Sequence, residues 1–207
     1  MSHAFDEAAV ARLTDAVRAV ESRSCAELVL EVHARAGMYP QAAARFGALL
    51  AIVSMLVLLV VPMTFPPYAL LADALVFFLL GQFIARWSDR IRHLMTRRRE
   101  REELVRLRAS SLFLERGVGG TSGETGLLLY ATRMERRIHL LADRGLLRMV
   151  NEQEWNALAG ELHEERDISP DVLIAAIQRL DVLLARDAPA GVCNPDELAN
   201  APQLSLE

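Results

Sequence analysis

Glu124 and Asp143 are the two acids of this 207-residue chain whose spacing points to joint chemistry. Each stands where an apolar strand begins or ends, at Leu127–Tyr130 and Arg137–Ala142. If those strands pair, the two carboxylates converge as oxygen ligands for a hard cation such as calcium. The competing reading makes each a solvated turn residue. Other chemistry is poorly represented. His3, His33, His93, His139 and His163 are scattered singly. The run His163-Glu164-Glu165-Arg166-Asp167 starts like a zinc-protease helix, but Asp167 stands where the second histidine belongs. No nucleophile-elbow serine motif occurs, and Ser110-Ser111 has no identifiable base. All 23 basic residues are arginine, which excludes a phosphate-loop lysine and a Schiff base.

The elements that would position these acids follow from periodicity. Val10, Leu13, Val17 and Val20 predict an amphipathic helix over residues 5–21. The alternation of Ala26–His33 predicts a strand with Leu28, Leu30 and Val32 on the buried side and Glu27, Glu31 and His33 toward solvent. Residues 35–45 turn helical again. Trp87–Glu115 reads as one long helix, ion-paired by Arg98 with Glu102 and Arg99 with Glu103, its first half suited to anionic headgroups. A glycine-rich loop, GVGGTSGETG, leads into the strand pair, which turns at Thr132–Glu135 and ends at Arg144-Gly145. Because those glycines precede a strand and open no helix, they do not form a phosphate cradle. Asn151 with Glu154 caps a helix near 152–165, and Ser169-Pro170 starts another to about 186. The tail 188–207 is expected to be loose.

An apolar insertion interrupts this series. The 40 residues from Phe46 to Ala85 carry one charge, Asp73. A membrane span takes about 20 apolar residues, so the stretch suffices for two. Pro62, Pro66 and Pro67 set the break, giving spans of about 44–64 and 67–87. A buried hairpin of a soluble core is the competing reading. Arg35 and Arg45 precede the first span; Arg86, Arg90, Arg92, Arg97, Arg98, Arg99 and Arg101 follow the second; the turn has no basic residue. The positive-inside rule then places both termini in the cytoplasm, in agreement with the lack of a secretory signal in MSHAFDEAAV. Gly47 with Ala51 and Gly81 with Ala85 give small-residue spacing for close helix approach. Asp73 is expected near the outer interface, hydrated. The net charge of −4 argues against nucleic acid as a partner, and Cys25 and Cys193 lack metal or disulfide spacing.

Several motifs together resemble the TPM domain, in its bacterial membrane-protein branch. They are the run from Thr121 through Gly126-Leu127-Leu128-Leu129-Tyr130, Glu135-Arg136, Leu141-Ala142-Asp143-Arg144-Gly145-Leu146, and the strand AELVLEV. The resemblance covers about 5–45 and 100–186. It implies an α+β fold, a small mixed sheet flanked by helices, here interrupted by the transmembrane hairpin between the first strand and the third helix. The domain would comprise 1–43 and 88–187, the hairpin 44–87, and the tail 188–207. Acid phosphatase activity, calcium binding and assistance to membrane proteins have been attributed to TPM members. Many carry Asp-Asn-Gly where this chain has Glu124-Thr125-Gly126, so one carboxylate is kept and the amide is lost. Two functions are therefore expected to compete. The favoured one is a membrane-anchored cytosolic module at the bacterial inner membrane, without cofactor or catalysis, whose partners are the lipid bilayer and other membrane proteins. The alternative is a calcium-assisted phosphatase using Glu124 and Asp143.

Overall fold

The computed structural model describes residues 5–191, 197–198 and 200–205; His3 and Cys193 lie outside them. In chain order the elements are α1 (Glu7–Arg23), β1 (Glu27–His33), α2 (Pro40–Val60), α3 (Pro67–Trp87), α4 (Asp89–Met95) and α5 (Arg98–Glu115). There follow β2 (Gly126–Thr132), β3 (Arg137–Ala142), α6 (Arg144–Met149), α7 (Glu152–Glu164), α8 (Pro170–Asp187) and β4 (Gln203–Ser205). They form two compact units, Met1–Ala36 with Glu103–Glu207, and Gly37–Glu102.

The first unit is an α+β fold around a four-stranded mixed sheet of order β3-β2-β1-β4. β1 runs parallel to β2 and β4, and β2 antiparallel to β3. Leu28, Leu30 and Val32 face a core with Leu127, Leu129 and Ala131, completed by Leu13, Val17 and Val20 of α1, Trp155 and Leu158 of α7, and Leu173, Ile177 and Leu180 of α8. Each such leucine, fully withdrawn from water, contributes about 1.5–3 kcal/mol. The opposite face carries Val29, Leu128 and Tyr130, covered by Val105, Ala109 and Leu112 of α5. Both faces are therefore dry, as parallel strands require. This corrects the solvent-facing side expected of β1, since Glu27, Glu31 and His33 are 3%, 0% and 8% exposed.

The local signals explain most boundaries. Asp6 caps α1 by accepting from Ala9 N–H at 2.8 Å. Asn151 accepts from Gln153 and Glu154 N–H to start α7. The tail is a correction too: its residues 203–205 are β4, added in parallel beside Glu31–His33.

The second unit contains the apolar hairpin. α2 and α3 are long and apolar enough to cross a membrane, and only 11% of the most apolar stretch of each is buried. A helix at the centre of a soluble core would be mostly covered. α3 begins and ends as expected. α2 is shifted toward the N-terminus, to Pro40–Val60. Pro40 fits the first helical turn, where its missing N–H is not needed, and Pro62 stops the helix before residue 64. The expected single helix from Trp87 to Glu115 is broken. Ser88 starts α4 by accepting from Ile91 N–H, and Thr96 ends it, its hydroxyl donating to Arg92 O at 2.7 Å. Arg98 pairs with Glu102 at 2.6 Å, whereas Arg99 forms no such pair among the described residues.

Candidate functional site

The two acids singled out in the sequence occupy adjacent loops. Asp143 N–H donates to Gly126 O at 2.8 Å, and Leu146 N–H donates to Glu124 O at 3.0 Å. Gly145 permits this closeness: a Cβ there would lie 2.5 Å from Gly123 O and 2.6 Å from Glu124 O. Glu124 itself takes a left-handed backbone, φ 52°. Its carboxylate is exposed, with Arg148 Nη1 at 4.0 Å. Asp143 caps α6, one oxygen accepting from Arg144 N–H at 2.7 Å. Its second oxygen, Oδ2, is buried without a hydrogen-bond partner among the described residues. Among the described residues no three acids, histidines or cysteines gather as a metal-binding group. Calcium takes six to eight oxygens, so this pair alone is a small donor set for it.

A second polar cluster lies on the sheet under α5. Glu31 Oε2 is 3.0 Å from His33 Nε2, and Glu31 Oε1 accepts from Arg116 Nε. Burial pushes the Glu31 carboxyl up, but the hydrogen bonds and charges of His33 and Arg116 outweigh it and hold it below the usual carboxylate range. An ionised carboxylate only accepts, so Nε2 of His33 carries the proton. The His33 ring meets Tyr130 edge to face at 5.2 Å between centroids. Tyr130 is the register partner of Glu31 on β2, and its hydroxyl is buried without a hydrogen-bond partner among the described residues. Burial raises the Tyr130 phenol well above its ordinary value. Glu135 is bonded as well, Oε1 accepting from Ala36 N–H at 2.9 Å. This cluster ties β1, β2 and the end of α5 together. The alternation of β1 carried the signal, since it put Glu31 and His33 on one side; the helix that covers that side was not visible in it.

The fold also joins two histidines that are distant in sequence. The rings of His139 in β3 and His163 in α7 meet edge to face, 6.1 Å between centroids. Burial, then the charges of His163 and Arg106, push His139 below its ordinary value, so it is neutral near pH 7.

In the hairpin unit, Ser54 Oγ donates to Asp73 Oδ2 at 2.7 Å across α2 and α3. The acid expected to be merely hydrated is thus bonded to the other helix. Gly47 and Gly81 meet as the small-residue spacing suggests: a Cβ at Gly81 would lie 2.6 Å from Gly47 Cα. Gly81 and Ala85 are buried along with Gly47, while Ala51 is half-buried.

Fold and sites together define an α+β domain that carries an apolar two-helix hairpin. No established protein family and no characterised protein matches the chain in sequence. Among solved structures the chain is similar to the BA42 protein of the psychrophilic bacterium Bizionia argentinensis, determined by NMR. The TM-score is 0.52 at 12% identity, covering 97% of this chain and 94% of that one. At this identity the likeness is one of fold.

Proposed function

We propose that this chain is a membrane-anchored module that assists the interaction or assembly of other membrane proteins. In this reading α2 and α3 span a bacterial inner membrane, and the α+β unit with both termini lies in the cytoplasm. The observation that carries it is the pair of 21-residue apolar helices, only 11% of the most apolar stretch of each buried, joined by a proline turn. The arginines on the outer ends and their absence from the turn support the orientation. The resemblance to TPM domains supports the assembly role. So does the use of the acids: Glu31, Glu135 and Asp143 all bond to the fold itself.

One observation favours the calcium-assisted phosphatase: beside the Glu124 loop, Asp143 Oδ2 has no hydrogen-bond partner among the described residues. The purified full chain decides between the two. Thermal melting with and without calcium, and turnover of a phosphomonoester, are measured for wild type, Glu124→Gln and Asp143→Asn. Asparagine still caps a helix, so the second change isolates the charge. The assembly reading predicts no calcium-dependent stabilisation and no turnover. A stabilisation of several degrees in wild type, abolished by both substitutions, would establish the metal site instead.

A further inference from the structure

The segment that follows α3 has more positive charge than its own acids can match. Between Arg86 and Glu102 there are seven arginines and three acids. Each acid has a specific partner: Asp89 pairs with Arg92 at 3.2 Å, Glu102 with Arg98, and Glu100 with Arg45 of α2. The last is bidentate, at 2.6 and 2.9 Å, and Arg45 also donates to Met95 O at 2.9 Å. It holds the Glu100 carboxyl at about 2. Arg101 donates to the carbonyls of His93 and Thr96, and Arg92 to that of Arg86. These bonds fix α4 and the start of α5 at the end of the hairpin. They leave Arg86, Arg90, Arg97 and Arg99 exposed, with no side-chain hydrogen bond or ion pair among the described residues. Trp87 and Leu94 stand among them, 80% and 77% exposed.

Internal ion pairing does not neutralise these four charges; the Arg97 charge acts on Glu100, but that carboxylate is already held by Arg45. A water-facing helix explains exposed arginines, but not a large indole and a leucine exposed beside them. Tryptophan favours the level of lipid headgroups, where its ring is half in apolar surroundings. Arginine at that level attracts anionic headgroups. We propose that Arg86, Arg90, Arg97 and Arg99, with Trp87 as anchor, form a binding surface for anionic phospholipid headgroups. This rests on the reading that α2 and α3 cross a bilayer. The surface matches the phosphate and net charge of such a headgroup, and it adjoins the helix end that would emerge there.

Trp87 supplies the test. The full chain is reconstituted into phosphatidylcholine vesicles containing an equal mole fraction of either brominated phosphatidylglycerol or brominated phosphatidylcholine. The Trp87 signal is the difference between the chain and its Trp87→Phe variant, which removes the contribution of Trp155. Quenching by the anionic lipid is expected to exceed that by the zwitterionic one several-fold, since each arginine near a charged leaflet favours it by on the order of fivefold. The excess should fall with added salt. It should vanish when all four arginines become glutamine and persist when all four become lysine, because charge is what attracts. Equal quenching by both lipids in the unaltered chain, or an excess that survives the glutamine changes, overturns the proposal. Absence of quenching by either lipid overturns the membrane reading itself, and this surface with it.

Discussion

Replacing Gly81 by alanine tests how the hairpin is held. The new methyl carbon would sit 2.6 Å from Gly47 Cα, 3.1 Å from Gly47 N and 3.2 Å from Phe46 O. Carbon atoms in contact prefer about 3.5–4.0 Å, so the helices must part by roughly 1 Å. All three neighbours are backbone atoms, and no change of rotamer relieves them. A gap of about 0.5–1 Å forfeits a quarter to a half of the dispersion energy of the contacts alongside. In lipid that packing is the main force between helices. Overpacking of this kind costs about 1–3 kcal/mol. At about 1.4 kcal/mol per decade, the close-packed population drops by roughly fivefold to a hundredfold relative to the open one. Ser54 and Asp73 provide the assay, because their side chains meet at 2.7 Å across the two helices. With cysteines at these two positions, disulfide formation should be fast with Gly81 present, slower in Gly81→Ala and slowest in Gly81→Leu. Equal rates in all three would refute the close contact.

Gly145→Ala should destabilise the α+β unit by about 1–3 kcal/mol, because its Cβ would strike two carbonyl oxygens. Gly160→Ala, in mid-helix with nothing within 4 Å of the new carbon, should instead stabilise it by about 1 kcal/mol; denaturant melts of both give the comparison. Tyr130→Phe removes a buried hydroxyl that has no hydrogen-bond partner among the described residues, so the melting temperature should hold or rise; a fall would mean the hydroxyl contributes a bond. Asp187 is held at about 2 by hydrogen bonds from Arg186 and from Asn151 N–H. Its folded value is depressed, so its stabilisation is complete above the ordinary aspartate value of about 3.9 and is lost as pH falls through the folded value. Asp187→Asn should therefore flatten the acid limb of the stability curve relative to wild type.

Much of this fold was legible where a residue's own backbone chemistry decides the structure. Pro66 and Pro67 marked the start of α3, Asn151 the cap of α7, and the turn at Thr132–Glu135 the pairing of β2 with β3. What escaped depends on partners distant in sequence. Alternation in β1 showed which residues share a side, but not that α5 covers the side bearing Glu31 and His33. Gln203–Ser205 is too short and too polar to read as a strand; it becomes β4 by pairing with Glu31–His33. The break at Ser88 and Thr96 was hidden by strong helix formers on both sides, and side-chain bonds to the backbone make it. The candidate acids were found because they flank strands, and their loops do adjoin. Their local commitments, a cap for Asp143 and a loose pair with Arg148 for Glu124, come only from the folded loops.

The membrane hairpin is the central claim, and its topology is the most direct test. Reporters that are active only in the cytosol are fused in turn at Met1, at Glu207 and within the turn at Thr64, alongside reporters active only outside the membrane. Both termini should give cytosolic activity, and the turn should give only the external signal. External activity at either terminus, or cytosolic activity at Thr64, would contradict the account.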